Sequence, residues 1–265
     1  MELGYERGGA GEPLVLIHGL GGTRRIWRPV FDRLAAERDV VAVDLPGFGD
    51  SPQLPAGVVP TAANLGAAVG DLCAQLGFER PHLAGNSLGA WSALEMAKAG
   101  RAASVCCLSP AGLWRRPLGP RRYDVRGLGR RLHPLLPLLL RSPRARGAFL
   151  RTTVARPERL TREEARDLVG DWLASPGYEA ANEQMRSHVF EHPELVTVPT
   201  TIAWGAEDRL VAPPRPERTP PGARYLVLEG CGHTPTWDDP ERVAGLLLEA
   251  SCGEPADAGA ATATA

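Results

Sequence analysis

Three side chains with the chemistry of nucleophilic catalysis each follow a short apolar segment of this sequence. They are Ser87, Asp208 and His233, in that order along the chain. A serine hydroxyl is a weak nucleophile near neutral pH and needs a general base that a third group holds in place. The order and spacing therefore predict Ser87 as nucleophile, His233 as base and Asp208 as the acid that orients the histidine.

The residues around the serine predict a sharp turn between a strand and a helix. Residues 85–89 read Gly-Asn-Ser-Leu-Gly, which matches the G-x-S-x-G nucleophile elbow. Gly85 and Gly89 lack Cβ atoms, so the strand and the helix can approach closely around the serine. The N-terminal end of the helix carries a positive dipole. We therefore expect an oxyanion to bind the backbone N–H of Leu88, and that of Leu20 from the loop after the first apolar strand.

Other acids and histidines compete for these roles. Glu207 is the alternative to Asp208, because both follow the same predicted strand. His18 precedes the Leu20 loop and is expected to shape it, whereas His82 starts a strand and lies at the wrong end of the sheet. The remaining histidines, which we interpret as structural, are His133, His188 and His192.

The elements that must position these residues alternate between short apolar strands and helices. Strands are predicted near residues 13–17, 40–43, 82–84, 104–108, 200–204 and 224–228. Helices are predicted near residues 26–37, 61–76 and 240–250, and another starts at Ser87 and stops at Gly100. This alternation indicates an α/β fold with a doubly wound, mostly parallel sheet. Ligands bind such sheets at the carboxyl ends of the strands, where the three candidate residues lie.

The alternation stops between residues 112 and 198, where prolines repeatedly interrupt helical stretches. We interpret this segment as an inserted helical cap over the strand ends. Residues 1–111 and 199–251 are then the two parts of the core, and residues 252–265 are a low-complexity, disordered tail.

Composition excludes several classes of protein. The net charge is −1, which gives no sign of nucleic-acid binding, and no apolar run approaches the roughly 20 residues of a membrane span. The first seven residues have neither the basic start nor the apolar core of a signal peptide. The five cysteines show no metal-ligand spacing and are expected to be reduced thiols of a cytoplasmic protein. We expect no metal and no cofactor.

Positive charge is concentrated in one part of the predicted cap. Residues 115–167 contain 15 arginines, no lysine and five acidic residues, so their net charge is +10 and that of the remaining residues is −11. One interpretation is a solvated face that is partly paired with acidic residues. The other is that it attracts an anionic acyl substrate, such as a thioester of coenzyme A or of a carrier protein, or an acidic membrane surface.

Taken together, these motifs resemble those of the α/β-hydrolase superfamily. The resemblance includes residues 44–51, Asp-Leu-Pro-Gly-Phe-Gly-Asp-Ser, after the second strand. The chain is similar to small capped esterases, meta-cleavage-product hydrolases and cofactor-free haloperoxidase-like enzymes. Only 12 residues precede Pro13, so the first strand of the family's sheet is expected to be short or absent. Related dehalogenases and epoxide hydrolases have aspartate where this chain has Ser87, which argues against both activities.

The leading functional hypothesis is a serine hydrolase of small-molecule esters, thioesters or lactones, which works through an acyl-enzyme. A second hypothesis keeps the site but hydrolyses a carbon–carbon bond, with an arginine of the pocket binding the substrate carboxylate. A third is a non-catalytic ligand receptor with a hydrolase fold. The sequence does not predict the oligomeric state.

Overall fold

The computed structural model describes residues 1–120 and 125–252. The predicted disordered tail lies outside these residues, apart from Cys252. A seven-stranded sheet has the order β1-β3-β2-β4-β5-β6-β7, and only β1 runs antiparallel to its neighbour. The strands are β1 (Tyr5–Gly8), β2 (Pro13–Ile17), β3 (Asp39–Val43), β4 (His82–Asn86), β5 (Ser104–Leu108), β6 (Thr200–Gly205) and β7 (Arg224–Leu228).

Helices connect the parallel strands. They are α1 (Arg28–Ala35), α2 (Ala62–Gln75), α3 (Leu88–Lys98), α4 (Val125–Leu132), α5 (Leu136–Leu139), α6 (Pro143–Leu150), α7 (Arg162–Ala174), α8 (Tyr178–Ser187) and α9 (Pro240–Ala250). Of these, α1, α2, α3 and α9 cover the two faces of the sheet. The predicted start of the first helix at residue 26 was wrong. Residues Arg24–Trp27 form a 3-10 turn, and α1 begins at Arg28 with Pro29 in its first turn, where proline is tolerated.

The alternation of side chains along the strands builds two separate apolar layers. Val15 and Ile17 of β2 face one layer, which α2 and α3 complete. Leu14 and Leu16 of the same strand face the other layer, which α1 and α9 complete. Successive side chains of a strand point to opposite faces, so a strand with helices on both sides must be apolar throughout. The doubly wound, mostly parallel sheet predicted from the apolar runs is confirmed.

The first strand, expected to be short or absent, is present and four residues long. It pairs with β3 at the edge of the sheet, and Tyr5 lies opposite Val43. Three of its four residues are exposed, so its sequence Tyr-Glu-Arg-Gly carries no apolar run to indicate a strand.

Between β5 and β6 the chain forms the helices α4 to α8. Eight buried apolar residues from this segment form a third cluster: Leu136, Leu140, Leu150, Val154, Leu160, Ala165, Val169 and Leu173. Helix α7 begins with a capping box between Thr161 and Glu164. Of the helices within the described ranges, none has the length and apolar character needed to cross a membrane.

Candidate active site

Ser87 occupies a strained turn between β4 and α3. Its φ is 54° and its ψ is −114°, in a region that non-glycine residues rarely adopt. Three backbone hydrogen bonds hold it there. Its N–H donates to the carbonyl of Leu108 over 3.0 Å, and its carbonyl accepts from the N–H groups of Trp91 and Ala111. Such strain persists only where the surrounding structure fixes it, and it is often found at functional sites.

The two glycines beside this turn are needed for close packing. A Cβ added to Gly85 would lie 2.4 Å from the backbone nitrogen of Ala90, and one added to Gly89 would lie 2.2 Å from the carbonyl oxygen of Ile17. No side chain fits at these distances. The elbow geometry that the sequence predicts therefore agrees with the packing around Ser87.

The structure brings Asp208 and His233 together, although they are 25 residues apart. Nδ1 of His233 lies 2.7 Å from Oδ2 of Asp208. Because an ionised carboxylate only accepts hydrogen bonds, the Nδ1 nitrogen is the donor. The other ring nitrogen, Nε2, is buried and has no hydrogen-bond partner within the described residues. In this tautomer Nε2 carries the lone pair that can accept a proton.

The carboxylate of Asp208 is fixed at both oxygens. Oδ1 accepts the backbone N–H groups of Leu210 and Val211, at 2.8 and 3.0 Å. Burial by itself would raise the pKa of Asp208, but the hydrogen bond from His233 and these backbone bonds outweigh it and lower the pKa. Glu207, the alternative acid, pairs instead with Arg209 at 3.4 Å on the surface.

The loops that carry the three residues contact one another directly. The side-chain amide of Asn86 donates to the carbonyl of His233 over 2.8 Å, which ties the residue before Ser87 to the histidine loop. A Cβ added to Gly205 would lie 2.1 Å from the carbonyl oxygen of Gly232, so the Asp208 and His233 loops pack backbone to backbone. The Asn86 contact was not predicted, because the x position of the elbow pattern accepts many residues.

The loop that contains Leu20 lies beside Ser87. A Cβ added to Gly19 would stand 3.0 Å from Cβ of Ser87. The hydrogen bond from Gly22 N–H to the Gly19 carbonyl closes a turn over residues 19–22 and leaves the N–H of Leu20 outside that bond. Leu88 is the first residue of α3, so its N–H has no acceptor within the helix.

His18 holds this loop as the sequence suggested. Its Nδ1 lies 2.7 Å from the Gly19 carbonyl, and its Nε2 accepts the N–H of Leu45 over 2.9 Å. The ring is fully buried, and this burial lowers the pKa of His18. A neutral ring that donates from Nδ1 satisfies both contacts.

An ion pair between the buried Asp44 and the partly exposed Arg24 supports the same loop and was not predicted from the sequence. The carboxylate of Asp44 pairs with the guanidinium of Arg24 and also accepts the backbone N–H of Arg24 over 2.7 Å and that of Asp50 over 3.0 Å. Asp44 is therefore a structural anchor between the loops that follow β2 and β3. The motif of residues 44–51 was a signal for a loop, but it did not show the partner.

Helices α7 and α8 lie against the loops beside the serine. Asp171 of α7 accepts the hydroxyl of Thr23 and pairs with Arg25, both at 2.7 Å. A Cβ added to Gly21 would lie 2.7 Å from the Trp172 ring and 3.1 Å from that of Tyr178. Ser87 is 6% exposed and His233 is 3% exposed, so both residues are buried.

Asp238 connects the histidine loop to the segment before α7, and sequence reasoning missed it. Its carboxylate accepts the N–H of Gly232 over 2.8 Å and those of Ala155 and Arg156 over 3.0 and 3.3 Å. The Thr234 N–H also donates to the carbonyl of Thr153. Burial raises the pKa of Asp238, which these hydrogen bonds only partly offset.

His82, His188 and His192 are not part of this constellation. His82 bonds to the Ser104 hydroxyl at the start of β4, and His188 and His192 are exposed on the surface. The side chain of His133 lies outside the described residues. Within residues 1–120 and 125–252, no three histidine, cysteine or acidic side chains are grouped so that they could hold a metal ion.

The fold, the strained serine and the loops around it define a class of protein, and comparison with known sequences agrees. Residues 14–246 match the alpha/beta hydrolase family, so the chain belongs to that family.

The chain is similar to several proteins of known name. It is 31% identical to an epoxide hydrolase of Mycobacterium tuberculosis over 186 residues, which cover 65% of this chain and 86% of the relative. It is 32% identical to the dihydrolipoyllysine-residue acetyltransferase component of the Pseudomonas putida acetoin cleaving system, and the match covers 92% of this chain but only 65% of that protein. A thermophilic esterase from Thermogutta terrifontis has a similar structure, with a TM-score of 0.70 and 26% identity over 93% of this chain and 92% of the esterase.

Proposed function

We propose that this protein is a serine hydrolase of carboxylic esters, thioesters or lactones, with Ser87, His233 and Asp208 as its catalytic residues. The observation that carries the proposal is the Asp208–His233 hydrogen bond beside an elbow whose strained apex is Ser87. Ser87 attacks the acyl carbon while Nε2 of His233 takes the hydroxyl proton. Asp208 holds the ring in the tautomer that leaves Nε2 able to accept it.

The oxyanion forms on the carbonyl oxygen of the substrate after attack. The backbone N–H groups of Leu20 and Leu88 bind it, because the Leu20 loop lies beside Ser87, Leu88 directly follows Ser87, and neither N–H is used within the turn or the helix. The protonated His233 then passes its proton to the leaving group. Water attacks the acyl-enzyme in the second half of the reaction with His233 again as base.

Residues 112–198 form the cap in this proposal, as an insertion between β5 and β6. Support comes from the contacts of Asp171, Trp172 and Gly177 with the loops after β2 and β3. Tyr178 and Trp172, which lie beside Gly21, are then part of the wall of the acyl pocket.

Similarity to an epoxide hydrolase does not by itself favour epoxide opening here. If Ser87 opened an epoxide, it would form an ether, which has no acyl carbon for water to attack. A carboxylate nucleophile forms an ester instead, and water can hydrolyse it. The carboxylate nearest to His233, that of Asp208, already binds the ring and two backbone N–H groups.

The class of acyl donor is a further part of the proposal. The Pseudomonas putida relative is named as an acetyltransferase component that acts on a dihydrolipoyllysine residue, a thiol-bearing group. The arginine-rich part of the cap suits an anionic donor such as a thioester of coenzyme A or of a carrier protein. In the alternative reaction, cleavage of a carbon–carbon bond, an arginine of the pocket would bind the substrate carboxylate. Among the cap residues that the structure describes, the buried Arg126 and Arg146 bond to cap carbonyls instead.

The experiment is a turnover screen with p-nitrophenyl esters of graded acyl length, with acyl-coenzyme A thioesters, and with styrene oxide as an epoxide. Ser87→Ala should abolish ester turnover, because loss of the nucleophile in such a triad costs about 10⁶ in kcat. Ser92→Ala is the matched control, since Ser92 is also buried and its hydroxyl has no partner within the described residues. Ester turnover by Ser87→Ala near the wild-type rate would contradict the proposal, as would hydrolysis of the epoxide alone.

A further inference from the structure

The segment around α5 exposes two leucines. Leu135 is 51% exposed and Leu138 is 61% exposed, on a short turn that also exposes Pro134 and Pro137. Burying a leucine side chain stabilises a protein by about 1.5–3 kcal/mol. Two exposed leucines therefore do not contribute this free energy to the fold, but burial against a binding partner would recover it.

The orientation of these leucines is fixed by the other residues of the same turn. Leu136 and Leu140 are 2% and 1% exposed and belong to the apolar cluster that includes Leu150 and Leu173. Because Leu136 and Leu140 are anchored in the cluster, the turn cannot rotate to bury Leu135 and Leu138 in exchange. The exposed pair, with Pro134 and Pro137, is called the leucine patch below.

The sequence around the leucine patch has only positive charge. Residues 125–157 contain eight arginines and no lysine, aspartate or glutamate. Arg131, Arg141 and Arg144 are exposed on either side of the patch in the sequence. Within the described ranges, no carboxylate lies within 4.0 Å of any of these three guanidinium groups, so none of them is in an ion pair there.

Two other arginines of this segment, Arg126 and Arg146, have a structural role, because they donate hydrogen bonds to backbone carbonyls of the proposed cap. The guanidinium of Arg126 is buried and donates to the carbonyls of Trp172, Leu173 and Ser175, which end α7. Arg146 is also buried and donates to the carbonyls of Leu140 and Glu158. Arg131, Arg141 and Arg144 have no such contacts among the described residues, so the packing of the segment does not explain them.

We propose that the leucine patch and Arg131, Arg141 and Arg144 form a docking surface for an anionic lipid membrane. Leucines inserted at the boundary between head groups and acyl chains supply apolar burial, and arginines beside them bind lipid phosphates. Anionic leaflets attract basic residues within about a Debye length. The surface holds the protein on the membrane without crossing it.

The size of the patch favours a lipid surface over a protein partner. A stable protein interface buries about 800 Å² on each partner, with a fully covered apolar centre. Four apolar residues on one turn supply a small part of that area. A membrane needs no complementary shape, so a few inserted leucines with several arginines are sufficient for reversible binding.

The test is flotation of the protein with vesicles of phosphatidylcholine, with and without phosphatidylglycerol. Ser87→Ala serves as the background, so that no lipid ester is hydrolysed and binding is measured apart from the proposed catalysis. We expect binding to the anionic vesicles at least about tenfold tighter than to the neutral ones. Raising the salt to about 1 M, where the Debye length is about 3 Å, should release most of the protein.

Variants of the docking surface separate its two parts. In the same background, L135S/L138S and R131Q/R141Q/R144Q should each weaken binding to the anionic vesicles about tenfold. L195S is the matched control, because Leu195 is 53% exposed but lies outside the segment, and it should bind like its parent. Circular dichroism and thermal unfolding check that each variant is folded.

Several results would overturn the proposal. One is equal binding to neutral and anionic vesicles, and another is no binding to either by a folded protein. Equal loss of binding in L195S and L135S/L138S would show that general apolar exposure is responsible. If L135S/L138S does not fold, the proposal is still tested by R131Q/R141Q/R144Q and by the comparison of neutral with anionic vesicles. Binding of an acidic protein at this surface, with no vesicle binding, would replace the lipid by a protein partner.

Discussion

The side-chain amide of Asn86 lies between two backbone carbonyls, and it donates to that of His233 over 2.8 Å and to that of Leu108 over 3.1 Å. Asn86 is adjacent to Ser87 in the chain and is 3% exposed. One amide group therefore ties the end of β5, the serine elbow and the histidine loop together. This contact fixes the position of the proposed base relative to the proposed nucleophile.

We predict that Asn86→Ala lowers kcat by about tenfold or more, because the carbonyls of His233 and Leu108 each lose the hydrogen bond from this amide, and the tie between the serine elbow and the histidine loop is lost. Asn86→Asp should be worse, since a carboxylate would face both carbonyl oxygens without a proton to donate. The measurement is ester turnover, with thermal unfolding of each variant to separate catalysis from stability. A wild-type kcat in a folded Asn86→Asp variant would show that the contact does not position His233.

Asp208 rather than Glu207 should be the acid that the reaction needs. In a serine protease triad, the corresponding change of aspartate to asparagine costs about 10⁴ in kcat, because the histidine takes the wrong tautomer. We expect a loss of that order in Asp208→Asn. Glu207→Gln is the control and should stay near wild type, since Glu207 pairs with Arg209 on the surface. If Glu207→Gln were the more damaging change, the acid would be misassigned by one residue.

The lowered pKa of Asp208 predicts how stability depends on pH. Burial works against the charged form, but the bonds from His233, Leu210 and Val211 outweigh it and hold the pKa below its ordinary value of 3.8. Ionised Asp208 therefore stabilises the fold above that value, and the contribution is lost as the pH falls through the lower folded pKa. Thermal unfolding between about pH 5 and pH 2 measures this contribution of Asp208 to the stability of the fold. The stability gap between wild type and Asp208→Asn should narrow with falling pH, and a gap that widens would contradict this assignment.

The charge of the proposed cap should affect encounter with an anionic acyl donor. Attraction of this kind weakens as the Debye length falls from about 10 Å at 0.1 M salt to about 3 Å at 1 M. We therefore predict that kcat/KM for an acyl-coenzyme A thioester falls steeply with salt, while that for a small neutral ester changes little. Equal salt dependence of the two substrates would show that the arginines do not attract the acyl donor.

Structural features that depend on local sequence could be predicted, whereas features that depend on contacts between distant parts of the chain could not. The parallel strands are continuous apolar runs because helices cover both faces of the sheet, so sequence alone located them. Strand β1 carries no such run, because Tyr5–Gly8 is mostly exposed at the edge of the sheet. Its strand conformation depends on pairing with β3. The start of the first helix was misplaced because Arg24–Trp27 form a 3-10 turn before it.

Within the candidate site, local patterns identified residues but not their supports. Ser87, Asp208 and His233 were proposed from motif and order, and the structure places Asp208 against His233. Asn86 bonds across 147 residues of sequence, Asp238 bonds to the N–H of Ala155 across 83 residues, and Asp44 pairs with Arg24 across 20 residues. Nothing in the local pattern around these residues shows which distant carbonyl or N–H group they will meet. The catalytic role of Ser87 stays a prediction.

The most direct test of the serine hydrolase account is covalent labelling by a fluorophosphonate, read by intact-protein and peptide mass spectrometry. The account predicts rapid addition of one phosphonyl group to the wild-type protein, on the peptide that contains Ser87. Ser92→Ala should label at the same rate, and Ser87→Ala should not label. A correctly folded wild-type protein that resists the probe, or a Ser87→Ala variant that still takes up the label, would contradict the account.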